Sequence, residues 1–368
     1  MTHRFNTGVE YSKQETDKDT YSVTDSNTAN IGGGSCKLSV SNGWCTDAYN
    51  PNPKDSWLGT IKPAGNIVNT QTDTTSVYLL DNIELSAKWL LDLGVRWDKF
   101  DTEQLTKNTG VKLESDTDFF SYQAGVTFKP TENGAIYASF ATSANPPGVM
   151  NDGPEVVDAG NKDLEPEDSR TFEVGTKWDL LNDKLNLSAA IFRTEKNNAR
   201  VQNTDGTYDN IGSTKVDGLE IGVAGSITDK WSVSAAYTYL DSENTDPGAN
   251  CGRSGCTPGA NPNQGNQLAN VPKNSATLWT TYNVTPAFTV GAGAVAMDKV
   301  YGDGANTKYV PGYVRYDAMA RYNVNKNVNL QLNVNNLSDE RYFTKAYASH
   351  YATEAEGRNA VLSVNFKY

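Results

Sequence analysis

The stretch Trp231-Ser-Val-Ser-Ala-Ala-Tyr-Thr-Tyr239 alternates. Trp231, Val233, Ala235, Tyr237 and Tyr239 fall on one side of an extended chain, and Ser232, Ser234, Ala236 and Thr238 fall on the other. A period of two marks a β-strand with one apolar and one polar face. The same pattern runs from Val328 to Asn335, where Val328, Leu330, Leu332 and Val334 alternate with Asn329, Gln331, Asn333 and Asn335. It runs again through Phe120, Tyr122, Ala124, Val126 and Phe128, and through Ala360, Leu362, Val364, Phe366 and Tyr368 at the C-terminus.

Outward from these stretches the pattern predicts about 14 strands, near 2–13, 70–85, 88–103, 117–130, 134–144, 169–181, 184–201, 213–227, 230–243, 270–284, 287–301, 311–324, 327–344 and 357–368. Short connections such as Thr228-Asp229-Lys230 and Asn325-Lys326-Asn327 alternate with long ones, expected over 14–69, 104–116, 145–168, 202–212, 244–269, 302–310 and 345–356. Turns of a few residues join antiparallel neighbours. Short turns at one end and long loops at the other are the habit of an outer-membrane barrel. A β-sandwich also alternates, but its strands average about five or six residues. A solenoid would show a short fixed repeat, and none is visible.

Composition agrees. Of 368 residues only 37% are hydrophobic, and no apolar run approaches the ~18–20 residues of a membrane helix. Aromatics reach 10%, with Tyr at 19 and Gly at 31, as expected where half of each strand faces lipid and half faces water. The net charge of −12 argues against a nucleic-acid partner. The four cysteines form two close pairs, Cys36/Cys45 and Cys251/Cys256, among Gly, Ser, Asn and Pro. Zinc would need further ligands, yet His3 and His350 lie near neither pair. Two loop disulfides are the better reading, and they imply an oxidising compartment. The N-terminus MTHRFNTGVEYSKQETDKD lacks the pattern of a signal peptide, which conflicts with that compartment unless the chain is part of a longer one.

Eight stretches in series resemble a known family. They begin with HRFNTGVEYS and SVYLLDNIELSAKWLLDLGVRWDKF, and continue through FFSYQAGVTFKPTENGAIYASFATSANPP and LEPEDSRTFEVGTKWDLLNDKLNLSAAIFRTEKNNA. VDGLEIGVAGSITDKWSVSAAYTYLDSE, NVPKNSATLWTTYNV, VPGYVRYDAMARYNV and NVNNLSDERYF follow. In this order they resemble the TonB-dependent outer-membrane receptors for ferric siderophores, of catecholate type. The resemblance implies a 22-stranded barrel whose lumen is closed by an N-terminal plug. It implies that residues 1–368 are a partial barrel domain, the last 14 strands, with the plug and first strands missing. The implied function is uptake of a ferric siderophore across the outer membrane of a Gram-negative bacterium, energised by TonB through the missing part. Outer-membrane lipid and the barrel-assembly machinery are the other implied partners, and no cofactor is implied. The alternative is a passive pore or surface-binding barrel of 14 strands, which requires 2–13 to pair with 357–368.

Candidate residues follow from the alternation. Arg96, Glu173, Lys177, Glu220, Arg315, Asp317 and Arg321 are expected on the polar, lumen side. Cations set among aromatics in the loops, Lys308, Tyr309, Tyr313, Lys345, Tyr347, His350 and Tyr351, suit contact with an anionic chelate through charge and stacking. Loop 145–168 is acidic, with Asp152, Glu155, Asp158, Asp163, Glu165, Glu167 and Asp168 against Lys162 alone. Pro166 in the Leu164-Glu165-Pro166-Glu167 signature suits a strand start, and Asn336-Leu337-Ser338-Asp339-Glu340 a strand bend. Ser349-His350 makes no triad, and Gly32–Gly34 precedes no phosphate-loop Lys, so no enzyme is expected.

Overall fold

In the computed structural model, residues 1–24, 60–147, 157, 161–202, 208–248, 251–252, 255–256, 261–347 and 351–367 are described, and every regular element among them is a β-strand. Fourteen strands make one antiparallel sheet, each hydrogen-bonded to its neighbours in chain order. They are β1 (Thr2–Lys18), β2 (Val68–Ser86), β3 (Trp89–Thr106), β4 (Val111–Thr131), β5 (Gly134–Asn145), β6 (Glu167–Leu180) and β7 (Leu185–Gln202). β8 (Tyr208–Ser226), β9 (Trp231–Asp246), β10 (Asn274–Thr285), β11 (Phe288–Met297), β12 (Tyr313–Asn323), β13 (Val328–Asn335) and β14 (Asn359–Phe366) complete it. Among the described residues β1 and β14 are the two ends of this order and do not pair with each other. The pairing that a closed fourteen-stranded pore requires is therefore absent.

Register shows that the sheet has two chemically distinct faces, because directly opposed residues of antiparallel strands project to the same side. Leu79 lies opposite Val95, and Val95 opposite Tyr122. Ile221 lies opposite Tyr237, Tyr237 opposite Ala276, and Ala276 opposite Ala296. This apolar face leaves Leu79, Tyr122, Ile191, Ile221 and Tyr316 exposed, with Ile191 at 59%. A contiguous apolar surface of this extent is foreign to a monomer in water and natural against lipid. The polar face carries the intervening residues.

One rim is built of short turns, and side chains secure three of them. Thr228 Oγ1 accepts the amides of Lys230 and Trp231 at 3.3 and 3.1 Å. Thr285 Oγ1 accepts those of Ala287 and Phe288 at 3.3 and 3.0 Å, and Asn325 Oδ1 those of Asn327 and Val328 at 2.9 and 3.0 Å. These are the local side-chain bonds that make Thr and Asn turn formers. At the same rim Gly225 has φ +140°, and a Cβ there would stand 2.1 Å from the Lys184 carbonyl oxygen. Only glycine fits that approach.

Several expected boundaries change. The long loop expected over 104–116 is mostly strand: β3 and β4 continue to Thr106 and from Val111, joined by Lys107–Gly110. The expected strand 327–344 stops at Asn335, because Asn336 takes φ +54° and leaves the ladder. Four two-stranded hairpins stand on the loop rim: Tyr21–Thr24 with Thr60–Pro63, Cys251–Gly252 with Gly255–Cys256, Val300–Tyr301 with Tyr309–Val310, and Phe343–Tyr347 with Tyr351–Glu354. The expected loops 302–310 and 345–356 thus contribute strands to the last two.

The compact apolar core lies in these hairpins and not in the sheet. Val300, Val310 and Ala346 are buried against Met297, Phe343 and Ala352. Met297 is opposite Ser275, on the polar face, so this loop cap leans over the polar side of the wall.

Candidate functional site

The seven charges expected on the polar side all lie there by register. Arg96 is opposite Ser121 and Tyr78, Glu173 opposite Ser139 and Phe192, Lys177 opposite Ala135 and Ser188. Glu220 is opposite Ala190 and Thr238, while Arg315, Asp317 and Arg321 are opposite Val295, Gly293 and Thr289.

Most are tied into the wall. Arg96 Nε donates to both oxygens of Asp98 at 2.8 and 3.0 Å and its Nη2 to Glu10 at 3.2 Å. Asp98 also accepts the hydroxyl of fully buried Ser76 at 2.6 Å. The Arg96 guanidinium stands 5.8 Å from the Tyr78 ring centroid, and Lys177 Nζ 5.6 Å from that of Tyr137. Tyr137 donates its hydroxyl to Glu173 at 2.5 Å and lies flat across Gly175, where a Cβ would meet the ring at 2.5 Å. Such charge-assisted bonds position the side chains. Arg321 Nη2 reaches Thr289 at 3.5 Å, and its Nε is buried without a partner among the described residues.

A second cluster ties the cap to the wall. Arg315 grips Asp317 through Nε and Nη2 at 3.1 and 2.8 Å, and donates through Nη1 to the Tyr342 hydroxyl at 3.1 Å. Tyr342 packs on Tyr313 with centroids 4.2 Å apart. Asp317 Oδ1 accepts the Asn336 amide at 2.8 Å. Asn336, 1% exposed, donates its side-chain amide to the Glu340 carbonyl at 2.8 Å and accepts the Glu340 amide at 2.9 Å. The expected bend at Asn336–Glu340 is thus a buried polar hub.

Glu167, on the same polar face, ties the start of β6 to the neighbouring strand β7. β6 begins on this residue, directly after Pro166. The residue is 7% exposed, and its carboxylate meets Lys196 Nζ at 2.5 Å and the Arg200 amide at 2.9 Å.

Of the loop candidates, the structure joins Tyr309 to Tyr301 across the two-residue ladder, with centroids 6.4 Å apart. The cation over both rings is Lys299, not Lys308. Its Nζ is 4.9 Å from the Tyr301 centroid, 5.4 Å from that of Tyr309 and 3.0 Å from the Tyr301 hydroxyl. Lys308 is exposed, and its carbonyl accepts the Gly302 amide at 2.9 Å. Lys299 escaped the sequence reading because Tyr309, the ladder partner of Tyr301, lies ten positions further along the chain; the mirrored Val300-Tyr301 and Tyr309-Val310 were the available signal. Lys345 is opposite Thr353 and Tyr347 opposite Tyr351, which is 55% exposed. Arg341, beside this hairpin, makes a bidentate bridge to Glu354 at 2.7 and 3.2 Å, holding that carboxyl below its ordinary range. His350, Cys36, Cys45, Asp152, Glu155 and Asp158 lie outside the described residues, as does the side chain of Tyr347. Cys251 stands opposite Cys256 in its hairpin ladder.

A polar-lined wall with an apolar back, short turns at one rim and a polar-aromatic cap at the other has a counterpart among known proteins. The family described as TonB dependent receptor-like, beta-barrel, matches residues 2–337. The chain belongs to this family. It is 58% identical over 377 residues to the probable TonB-dependent siderophore receptor PiuA of Acinetobacter baumannii, covering 100% of the chain and 50% of that protein. The crystal structure of PiuA superposes with a TM-score of 0.90 at 57% identity, over 100% of this chain and 53% of that one. The ferric-catecholate import receptor Fiu of Escherichia coli K12, in its closed form, gives a TM-score of 0.79 at 30% identity, over 99% and 52%. The chain spans about half the length of these relatives. In a TonB-dependent receptor barrel the apolar face is the lipid side and the polar face lines the lumen. The family is one of receptors, not enzymes.

Proposed function

We propose that the protein serves in the outer membrane as the barrel of a receptor for ferric siderophores, with iron as cargo and no resident cofactor. The observation that carries this reading is the loop cap: cations and aromatics gathered over a polar lumen wall, in a chain alike along its whole length to a siderophore receptor. Cation–aromatic contacts suit an anionic, ring-bearing chelate. The lumen charges offer bonds to whatever fills the barrel, and in the complete receptor TonB supplies the work of inward release. The apolar face seats in outer-membrane lipid after insertion by the barrel-assembly machinery. A disulfide between Cys251 and Cys256, and one between Cys36 and Cys45, fits an oxidising outer compartment.

The test is radioiron uptake from a ferric catecholate by cells whose only siderophore receptor is the complete gene product containing this chain. Uptake should need both the receptor and TonB. Equal uptake in cells lacking TonB would sink the energised-receptor reading.

A further inference from the structure

The first strand carries ionisable groups on both faces of the wall. β1 spans 17 residues and pairs with β2 without a bulge. On the lipid side Asp81 lies opposite Phe5 on one flank and Leu93 on the other, between Leu79 and Ile83 along its own strand. Leu93 is the middle of the apolar run from Trp89 to Trp97, so this carboxylate sits at mid-height of the band that meets lipid. An ionisable group at that depth is costly and calls for a partner. The partner is His3, whose Nδ1 meets Asp81 Oδ2 at 2.7 Å. The His3 ring stacks on Phe5, with centroids 5.5 Å apart, and the Asp81 side chain is only 15% exposed. Its Oδ1 is buried with no partner among the described residues.

The next residue reaches the other face. Arg4 projects to the lumen side, and its Nη2 meets Glu84 Oε1 at 2.8 Å. Neither contact is to the residue directly opposite. His3 stands opposite Ile83 and reaches back along β2 to Asp81, whereas Arg4 stands opposite Asn82 and reaches forward to Glu84. The same leanings recur further along β1. On the side of His3, the Tyr11 hydroxyl, opposite Thr75, donates back to Asp73 at 2.7 Å. On the lumen side, Glu10, opposite Ser76, accepts at 3.2 Å from Arg96, which lies level with Tyr78 and so further forward.

Hydrophobic alternation leaves one ambiguity that these leanings remove. A slip of one residue turns β1 inside out, but a slip of two keeps every residue on its own face. A short turn would settle the choice, yet residues 19–67 separate β1 from β2. In the slip that sets Arg4 opposite Glu84, His3 moves away from Asp81 and Tyr11 from Asp73. In the slip that sets His3 opposite Asp81, Arg4 leaves Glu84 and Glu10 leaves Arg96. Only the observed register satisfies both faces. We propose that His3–Asp81 and Arg4–Glu84, supported by Tyr11–Asp73 and Glu10–Arg96, form a two-way register lock on β1, each face blocking one direction of slip.

The test traps registers as disulfides in outer membranes bearing the complete gene product that contains this chain. Val9→Cys with Val77→Cys reports the observed register, in which the two are opposed. Val9→Cys with Leu79→Cys reports the slip that the lipid-side pairs block, and Ser12→Cys with Thr72→Cys the slip that the lumen-side pairs block. Mass spectrometry of the linked peptides keeps the native cysteines out of the count, and heat-modified gel mobility verifies folding of each variant. Asp81→Leu combined with Tyr11→Phe should raise the Val9–Leu79 link about tenfold, the scale of a lost charge-assisted bond, and the Ser12–Thr72 link less than about twofold. Glu84→Ala combined with Glu10→Ala should do the reverse. His3→Asp combined with Asp81→His exchanges the partners and should keep the observed register, which tests the lock even if an unpaired variant does not fold. Both slipped links rising together in either variant, or neither rising in both, overturns the lock. So does a slipped register in the exchanged variant.

Discussion

Replacing Asn336 by alanine should loosen the cap without dissolving the wall. Asn336 is 1% exposed, adopts φ +54°, and makes two short side-chain bonds to Glu340, at 2.8 and 2.9 Å, plus a longer one to the Glu356 carbonyl at 3.4 Å. Each short bond contributes about 1 kcal/mol net, because exposed Glu340 can turn to water when it is lost. Alanine adds about 1 kcal/mol for a left-handed conformation that asparagine tolerates better. The sum is about 3 kcal/mol, or about a 150-fold rise in local opening. Hydrogen exchange in micelles reads it at the amides this loop protects: Leu337 to the Tyr316 carbonyl at 2.7 Å, Ala355 to the Tyr342 carbonyl at 3.0 Å, and Arg358 to Asp339 Oδ1 at 2.8 Å. Asn336→Gly accepts the backbone but loses the bonds, so it should lie near 2 kcal/mol, or about 30-fold. Strand amides of β2–β7 should not change. An increase below about threefold at those loop amides, or one spread evenly over the barrel, would refute the hub.

Gly225→Ala brings a Cβ to 2.1 Å from the Lys184 carbonyl oxygen and 2.8 Å from the Leu185 Cα at φ +140°. The obstacle is backbone, so the cost should reach about 3 kcal/mol or more and appear as a lost heat-modifiable, folded fraction on gels. The Arg341–Glu354 bridge sets a pH response. Glu354 is held below its ordinary value, so the bridge contributes in full above about pH 4.5 and fades as pH falls through the depressed value. Exchange in the Phe343–Tyr347 hairpin, corrected for intrinsic rate, should be flat between about pH 6 and 8 and rise only in acid; Arg341→Gln should abolish the acid step. Mass spectrometry of unreduced protein should find Cys251 joined to Cys256, as their opposed ladder positions suggest; free thiols at both would remove that disulfide.

The sheet was legible where lipid and water impose opposite demands on alternate residues, as at Trp231–Tyr239. It became illegible where both faces meet water. On β3 the apolar side runs Trp89, Leu91, Leu93, Val95 and Trp97 and then turns to Lys99, Asp101 and Glu103, so the hydrophobic alternation vanishes although the ladder continues to Thr106. Salt bridges take over there, with Lys99 reaching Asp101 and Asp116 at 2.9 Å each. Strand β13 was overread for the converse reason. Tyr342 and Phe343 look like an aromatic strand end, but a left-handed Asn336 has already turned the chain, and Phe343 serves the cap core. The lumen charges were readable because period two assigns a face without any tertiary information. The cap was not, since Lys299, Tyr301 and Tyr309 become neighbours only through a hairpin too short to show a period.

Among the described residues, side-chain ties from the cap reach the polar side of the wall. Met297 joins the cap core, Arg315 holds Tyr342, and Asp317 holds Asn336. Arg315 and Asp317 also grip each other, so a movement of the loop after Asn336 is felt at two successive polar-face positions of β12. The opposite side of β12 presents Val314, Tyr316, Ala318 and Ala320, which need only apolar surroundings and make no such directional bonds. Interactions with fixed geometry respond to displacement of a few tenths of an ångström, whereas apolar contacts with lipid adjust freely. A displacement of the cap is therefore transmitted to polar-face side chains of β12 and not to its apolar face.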